Sequence, residues 1–202
     1  MKKKLTSIIS LVMVFLIAVS FCSCNMSAKI DENYDIAAYI KTTLKSNYNP
    51  DSEDAAIMNN KTTCHNAAVR FFAKYALNPT DSQMERMEQI AKTAYSKSIY
   101  TVNDHEKANY GFDILVEYSV QTSLLNLSES IYPIVNHMNN DYTVEKEKAA
   151  IDEILDLCEQ SVNAPVYSSS DYINFDILLA DNGDISINLK LFDKLDELIL
   201  PI

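Results

Sequence analysis

An α+β fold with an antiparallel sheet is what this 202-residue chain predicts, and three observations carry the prediction. Apolar residues recur at helical spacing through the first part of the chain. Two stretches, one around Phe112 to Val120 and one from Ile173 onward, switch to a period of two and are rich in β-branched and aromatic residues. Helices and strands also come in blocks, as three helices, a hairpin, two helices and a second hairpin, instead of the strict βα alternation that builds a parallel sheet.

The elements follow in order. From Tyr34 to Leu44, the residues Ile36, Tyr39, Ile40 and Leu44 share one helical face. The Asn-, Asp- and Ser-rich stretch from Ser46 to Asn60, with Pro50, predicts a loop containing one helical turn near Asp54 to Met58. Cys64, Ala68, Phe71, Phe72 and Tyr75 line a second helix, which Asn78-Pro79 should stop. Thr80 and Gln83 match a capping box, opening a third helix that turns Met84, Met87, Ile90, Ala91 and Ala94 inward and ends near Lys97. Ile99 to Val102 and Phe112 to Val120 then form a hairpin with a polar connection. Thr122 to Met138 reads as a helix broken or kinked at Pro133. Thr143 to Val162 reads as an uninterrupted helix with Ile151, Ile154, Leu155, Cys158 and Val162 inward, ended by Ala164-Pro165.

The second hairpin allows its register to be argued. Its apolar rows are Ile173, Phe175, Ile177 and Leu179, then Ile185, Ile187, Leu189 and Leu191. A two-residue Asn182-Gly183 loop would set Leu179 opposite Ser186 and throw the two rows onto opposite faces. A three-residue loop, Asp181-Asn182-Gly183 with Gly183 left-handed in a bulge, instead pairs Leu179 with Ile185, Ile177 with Ile187 and Phe175 with Leu189. All eight apolar residues then share one buried face. A short helix from Asp193 to Leu200 closes the domain before Pro201. The expectation is about four strands in two hairpins packed against several helices, an order of elements that NTF2-like and cystatin-like folds share by analogy.

Composition excludes several functions. The chain holds only two glycines, Gly111 and Gly183, against an average near 7%. A P-loop, a GxGxxG turn and a GxSxG elbow each need closely spaced glycines where backbone meets ligand or turns sharply, so kinase, nucleotide-dehydrogenase and α/β-hydrolase readings fall. The three histidines are isolated, with no HExxH or CxxC, and no metal site or cofactor is expected. Setting Gly183 on the glycine of an EF-hand loop puts Leu178 and Ala180 where carboxylates are required.

The N-terminus carries Lys2-Lys3-Lys4, an apolar run from Ile8 to Phe21, and Phe21-Cys22-Ser23-Cys24. The uncharged stretch from Leu5 to Phe21 is 17 residues, at the lower limit for crossing a bilayer, whereas a cleaved export signal needs only a shorter apolar centre. Removing the three lysines leaves 14 Lys+Arg against 28 Asp+Glu, a net charge of −14, which disfavours nucleic acid and anionic headgroups as direct partners. The organisation expected is a signal over 1–23, a short tether over 24–33 and one α+β domain over 34–202.

Cys64 and Cys158 both lie on apolar helical stripes. They are either buried free thiols or a disulfide between packed helices. A Cys64-His65 nucleophile and base is disfavoured, because adjacent helical residues point about 100° apart. No catalytic residue is assigned. The twelve tyrosines include Tyr100, Tyr110, Tyr118, Tyr167 and Tyr172 near the strands, where they serve as core, rim or ligand-facing residues.

Phe21-Cys22-Ser23-Cys24 resembles the lipobox of a bacterial lipoprotein signal, in which diacylglyceryl transfer acts on the cysteine; Ser23 supplies the small residue before the cut, and Phe21 departs from the usual leucine. Together with Tyr95 to Val102, its partner strand Phe112 to Val120, and the tail from Ala164-Pro165-Val166-Tyr167 to Ile202, the layout is similar to a group of small, uncharacterised Gram-positive surface lipoproteins. The resemblance implies an α+β domain exported to the outer face of the cell membrane and anchored through acyl chains on Cys24, or otherwise secreted. It supplies no catalytic residue. A binding or accessory role follows, toward a small molecule, a peptide or an envelope protein, with an unrecognised hydrolase and an oligomeric scaffold as alternatives.

Overall fold

The computed structural model describes residues 36–50, 54–103, 106–108, 111–179 and 185–202. The signal and tether with Cys24, His105, Tyr110 and the Asp181-Asn182-Gly183 turn lie outside the described residues. The fold is α+β. Its helices are α1 (Ile36–Tyr48), α2 (Asp54–Lys74), α3 (Asp81–Ser96), the single turn α4 (Thr122–Leu125), α5 (Ser128–Asn140), α6 (Val144–Asn163) and α7 (Lys190–Ile199). The strands are β1 (Tyr100–Val102), β2 (Glu106–Ala108), β3 (Gly111–Gln121), β4 (Tyr167–Leu179) and β5 (Ile185–Ile187).

The sheet is antiparallel in the order β1-β3-β4-β5, with β2 also paired to β3. The polar connection of the first hairpin thus holds a fifth strand, where four were expected. Ala108 pairs with Gly111 and Glu106 with Asp113, a short return that apolar periodicity over three residues cannot announce. The second hairpin has the expected register, with Leu179 opposite Ile185 and Ile177 opposite Ile187. The pair Phe175 with Leu189 is not formed. Asn188 turns the chain there, its Oδ1 accepting from Lys190 N at 3.2 Å, so Leu189 and Leu191 join the start of α7 and pack on the core from it.

β4 begins at Tyr167, ahead of the apolar row that starts at Ile173, and takes in the serine run Ser168 to Ser170. Pairing with the far end of β3 makes these residues a strand, and Ser168 Oγ accepts from Val120 N across the bulge between Ser119 and Gln121.

The helical layer departs from expectation in two places. The polar stretch from Ser46 to Asn60 is mostly helix, because α1 runs to Tyr48 and α2 starts at Asp54. Tertiary partners satisfy its polar groups: Tyr48 is buried, Asn60 Nδ2 donates to Asn47 O at 2.6 Å, and Asn59 Nδ2 donates to Ser46 Oγ at 3.0 Å. The helix break also falls between α4 and α5, ahead of Pro133, which sits inside α5. Proline there removes its own amide donor and crowds the carbonyl of Glu129, a local cost that packing of Ile131, Val135 and Met138 outweighs.

Other terminators behave as their chemistry requires. Thr80 and Gln83 form the capping box, with Gln83 N donating to Thr80 Oγ1 and Thr80 N to Gln83 Oε1. α2 ends in a Schellman motif, with Leu77 N bonded to Phe72 O and Ala76 N to Ala73 O; Ala76 takes the left-handed position at φ 52° that glycine usually fills. Thr143 Oγ1 caps α6 by accepting from Lys146 N. Glu147 is buried and accepts from Asn78 N, Asn78 Nδ2 and Tyr142 Oη, fastening the loop after α2 to α6. Burial pushes its carboxyl up, but the bonds from Tyr142 and Asn78 together outweigh that and hold it below the usual range.

One core joins helices and sheet. Ile114, Val116, Tyr118, Ile173, Phe175, Ile177 and Ile187 supply the inner face of the sheet, and Phe175 packs on Phe192 of α7 with ring centroids 5.0 Å apart. Among the described residues no helix is long and apolar enough to cross a membrane.

Candidate functional site

α5 and α6 enclose a cleft of about 430 Å³, within the range of sites for small ligands. Pro133, Ile134 and His137 of α5 face Lys146, Ala150 and Glu153 of α6 across it. The space follows from side-chain size: Ala149 and Ala150 carry no bulk where two helices meet, and Pro133 projects a ring and no amide hydrogen. Met138, buried in the core, also reaches the lining. Lys146 is ion-paired with Asp141 next to the cleft. The lining therefore offers an apolar floor, a cation, an imidazole and a carboxylate. Such a set suits a small amphiphile whose polar end meets Lys146, His137 or Glu153. A binding role predicts a pocket lined by tyrosine and apolar residues; this cleft has the apolar residues and no tyrosine.

The sequence-derived candidates are distributed elsewhere. Cys64 and Cys158 are free and buried, in α2 and α6. Burial pushes both thiols up to about 12, which suppresses thiolate formation. His65 is exposed beside buried Cys64, and its Nδ1 lies 2.7 Å from Glu88 Oε1 of α3, so the adjacent pair is not a nucleophile and base. His137 stands in the α5–α6 cleft with Glu153. No group of three or more His, Cys, Asp or Glu suited to a metal ion occurs among the described residues.

The described tyrosines near the strands do not converge. Tyr118 is buried, Tyr100 packs edge-on against Tyr48, and Tyr167 Oη donates to Lys97 O at 2.6 Å. Among the described ones, Tyr172 alone is half exposed, on the opposite face of the sheet from the core.

Periodicity had not singled out a buried polar centre in the helical layer. Asp196 of α7 is only 6% exposed and accepts from Tyr48 Oη at 2.6 Å. Tyr95 stacks on Tyr48 at 5.1 Å, donates through Oη to the Asp196 carbonyl, and accepts from Arg70 Nη2 at 3.3 Å. Desolvation lifts the Asp196 carboxyl to about 7, against the lowering effect of the Tyr48 bond, with nearby Asp193 adding to the rise. The only sequence signal was an acid on the apolar stripe of Phe192, Leu195 and Ile199.

No family model matches the sequence, and no curated protein matches it. A solved structure that is similar is ycdA, a candidate lipoprotein from Bacillus subtilis subsp. subtilis str. 168, with a TM-score of 0.50 and 11% identity. The match covers 82% of this chain and 55% of that one, so the chain spans about half the length of its structural neighbour. At that identity the likeness is one of fold, the α+β arrangement described above.

Proposed function

We propose that this chain is an exported protein held at the outer face of the cell membrane by lipid on Cys24, and that its domain acts by binding a small molecule or peptide, without catalysis. The observation that carries the proposal is the N-terminal order of Lys2-Lys3-Lys4, an apolar run and Phe21-Cys22-Ser23-Cys24. Two acyl chains on one residue would give stable anchoring, since each buried methylene contributes roughly 0.8 kcal/mol. A tether of some eight residues at about 3.5 Å each would hold the domain within roughly 30 Å of the bilayer. The fold likeness to a candidate lipoprotein is in keeping with this reading.

Cells fed labelled palmitate test the anchor. The label enters the wild-type protein, and Cys24→Ser loses it and moves the domain into the medium. Label retained by Cys24→Ser, or a full-length unmodified product with Met1 in the cytosol, would refute the anchor.

The binding part rests on the α5–α6 cleft. Filling it with Ala150→Phe should weaken an anionic naphthalene fluorophore by at least about tenfold in Kd, read by fluorescence titration. Unchanged affinity would place the binding elsewhere.

A further inference from the structure

The second face of the sheet has a composition that solubility alone does not require. Pairing puts Glu117 opposite Tyr172, Leu115 opposite Asn174, Asp113 opposite Asp176 and Gly111 opposite Leu178, all on the side away from the core. Among the described residues this side is open: Tyr172 and Leu178 are each 52% exposed and Leu115 is 39% exposed. An antiparallel sheet often leaves one face in water, and single exposed apolar residues are ordinary. The charge pattern is not ordinary. β1, β3, β4 and β5 contain no lysine or arginine, whereas solvated faces usually intersperse both signs.

Asp113 and Asp176 stand directly across from each other, an arrangement that destabilises a sheet. The ion pairs formed among the described residues involve other acids, and Asp113 Oδ1 is shielded from solvent without a hydrogen-bond partner. In β2, Glu106 pairs directly with Asp113 and Lys107 with Phe112 of the neighbouring register position. Asp176 Oδ1 accepts from Asn174 Nδ2 at 2.8 Å on the same face, but β1, β3, β4 and β5 bring no cation to it.

The geometry points to an extended cationic segment of a partner protein as the occupant of this face. Along β3 the outward residues run Asp113, Leu115, Glu117, one every second position and therefore about 6.7 Å apart. An extended strand laid along β3 repeats at the same spacing, so a segment with Lys or Arg at i and i+4 and an apolar residue at i+2 matches acid, leucine and acid in turn. Tyr172 and Leu178 extend the apolar contact onto β4. A second copy of the chain is disfavoured, because face-to-face packing would oppose Asp113, Glu117 and Asp176 to themselves. Anionic lipid is disfavoured for the same reason. This surface lies on the sheet, apart from the α5–α6 cleft, and does not depend on how the chain is anchored.

The test uses a synthetic peptide of about nine residues, Lys-Thr-Val-Thr repeated and closed with Lys, long enough at about 3.3 Å per residue to cover the outward row of β3. Calorimetric titration at low salt should show binding that weakens as salt rises. Asp113→Asn combined with Glu117→Gln and Asp176→Asn should weaken it by at least about tenfold. Glu85→Gln combined with Glu129→Gln and Glu145→Gln, which removes the same charge from exposed helix positions, should leave it within about twofold. Leu115→Ser with Tyr172→Ser should weaken it at high salt as well, with unfolding curves confirming that each variant is folded. Equal loss in both acid-removed proteins would assign the effect to overall charge and overturn the proposal. So would the absence of binding, equal binding of the peptide with Glu in place of Lys, or a dimer or vesicle association in place of peptide binding that Leu115→Ser abolishes.

Discussion

Asp196→Asn is expected to raise stability at pH 7 by about 2–4 kcal/mol and leave it nearly unchanged at pH 4. The wild-type carboxyl titrates near 3.8 when the chain is unfolded and near 7 when folded, because burial penalises its charge. The folded state therefore holds a proton that the unfolded state has released between about pH 4 and pH 7. Stability from this group is complete below pH 4 and is lost as pH rises through 7. A gap of about three pH units corresponds to roughly 4 kcal/mol, less what an imperfectly paired amide costs. Asparagine keeps the oxygen that accepts from Tyr48 and never ionises.

The groups facing Asp196 set the direction. Tyr48 of α1 donates to it, Tyr95 of α3 donates to its backbone carbonyl, Arg70 of α2 lowers its pKa from a distance, and Asp193 and Glu197 of α7 raise it. Cys64 of α2 and Tyr100 of β1 stay neutral, since burial pushes both upward. Glu147 and Glu159 act oppositely, being held below the usual range, so their contributions are lost as pH falls below about 4.5. Urea midpoints for both proteins from pH 4 to pH 8 cancel those shared terms. A wild-type-to-variant difference that stays constant across that range would remove Asp196 as the titrating group.

Phe175→Ala is expected to cost about 3–5 kcal/mol, which for a domain of this size lowers Tm by roughly 10 °C or more. Phe175 is fully buried, stands opposite Ile114 on β3 and packs at 5.0 Å on Phe192. Truncation leaves a void between two elements that cannot close without moving α7. Tyr172→Ala, on the open face of the same strand, should change stability by about 0.5 kcal/mol or less. Equal losses from the two substitutions in urea unfolding would contradict the assignment of inner and outer faces.

The contrast between Phe175 and Tyr172 was legible before any coordinates. Alternation along Ile173, Phe175, Ile177 separates one side of β4 from the other, and the argument against a two-residue turn led to Leu179 opposite Ile185. The capping box at Thr80 and the inward stripe of α6 were equally readable, because each is a local pattern with one physical solution. Polar segments misled. Asn59 and Asn60 look like loop residues until α1 supplies acceptors for their amides, and Ser168 to Ser170, outside the apolar alternation, become strand because β3 supplies a ladder. Leu189 and Leu191 fit a strand by periodicity, but the turn at Asn188 and the Phe175–Phe192 contact draw them into the start of α7.

The sites were the least legible part. The α5–α6 cleft depends on Ala149 and Ala150 meeting Pro133 across two helices, and small residues carry no signal of what they leave empty. Asp196 reads as one polar interruption on a helix stripe until Tyr48, Tyr95 and Arg70 arrive from three other helices.

Spacing within single segments was enough for the α+β class, the helical stripes and the pairing of Leu179 with Ile185 and Ile177 with Ile187, and composition was enough for the scarcity of glycine that rules out phosphate loops. Packing settled which polar residues are buried, where helices meet loosely enough to leave a cleft, and which sheet face is open among the described residues. Those outcomes are set by contacts between segments far apart in the chain, whose burial and pairing energies outweigh local preference.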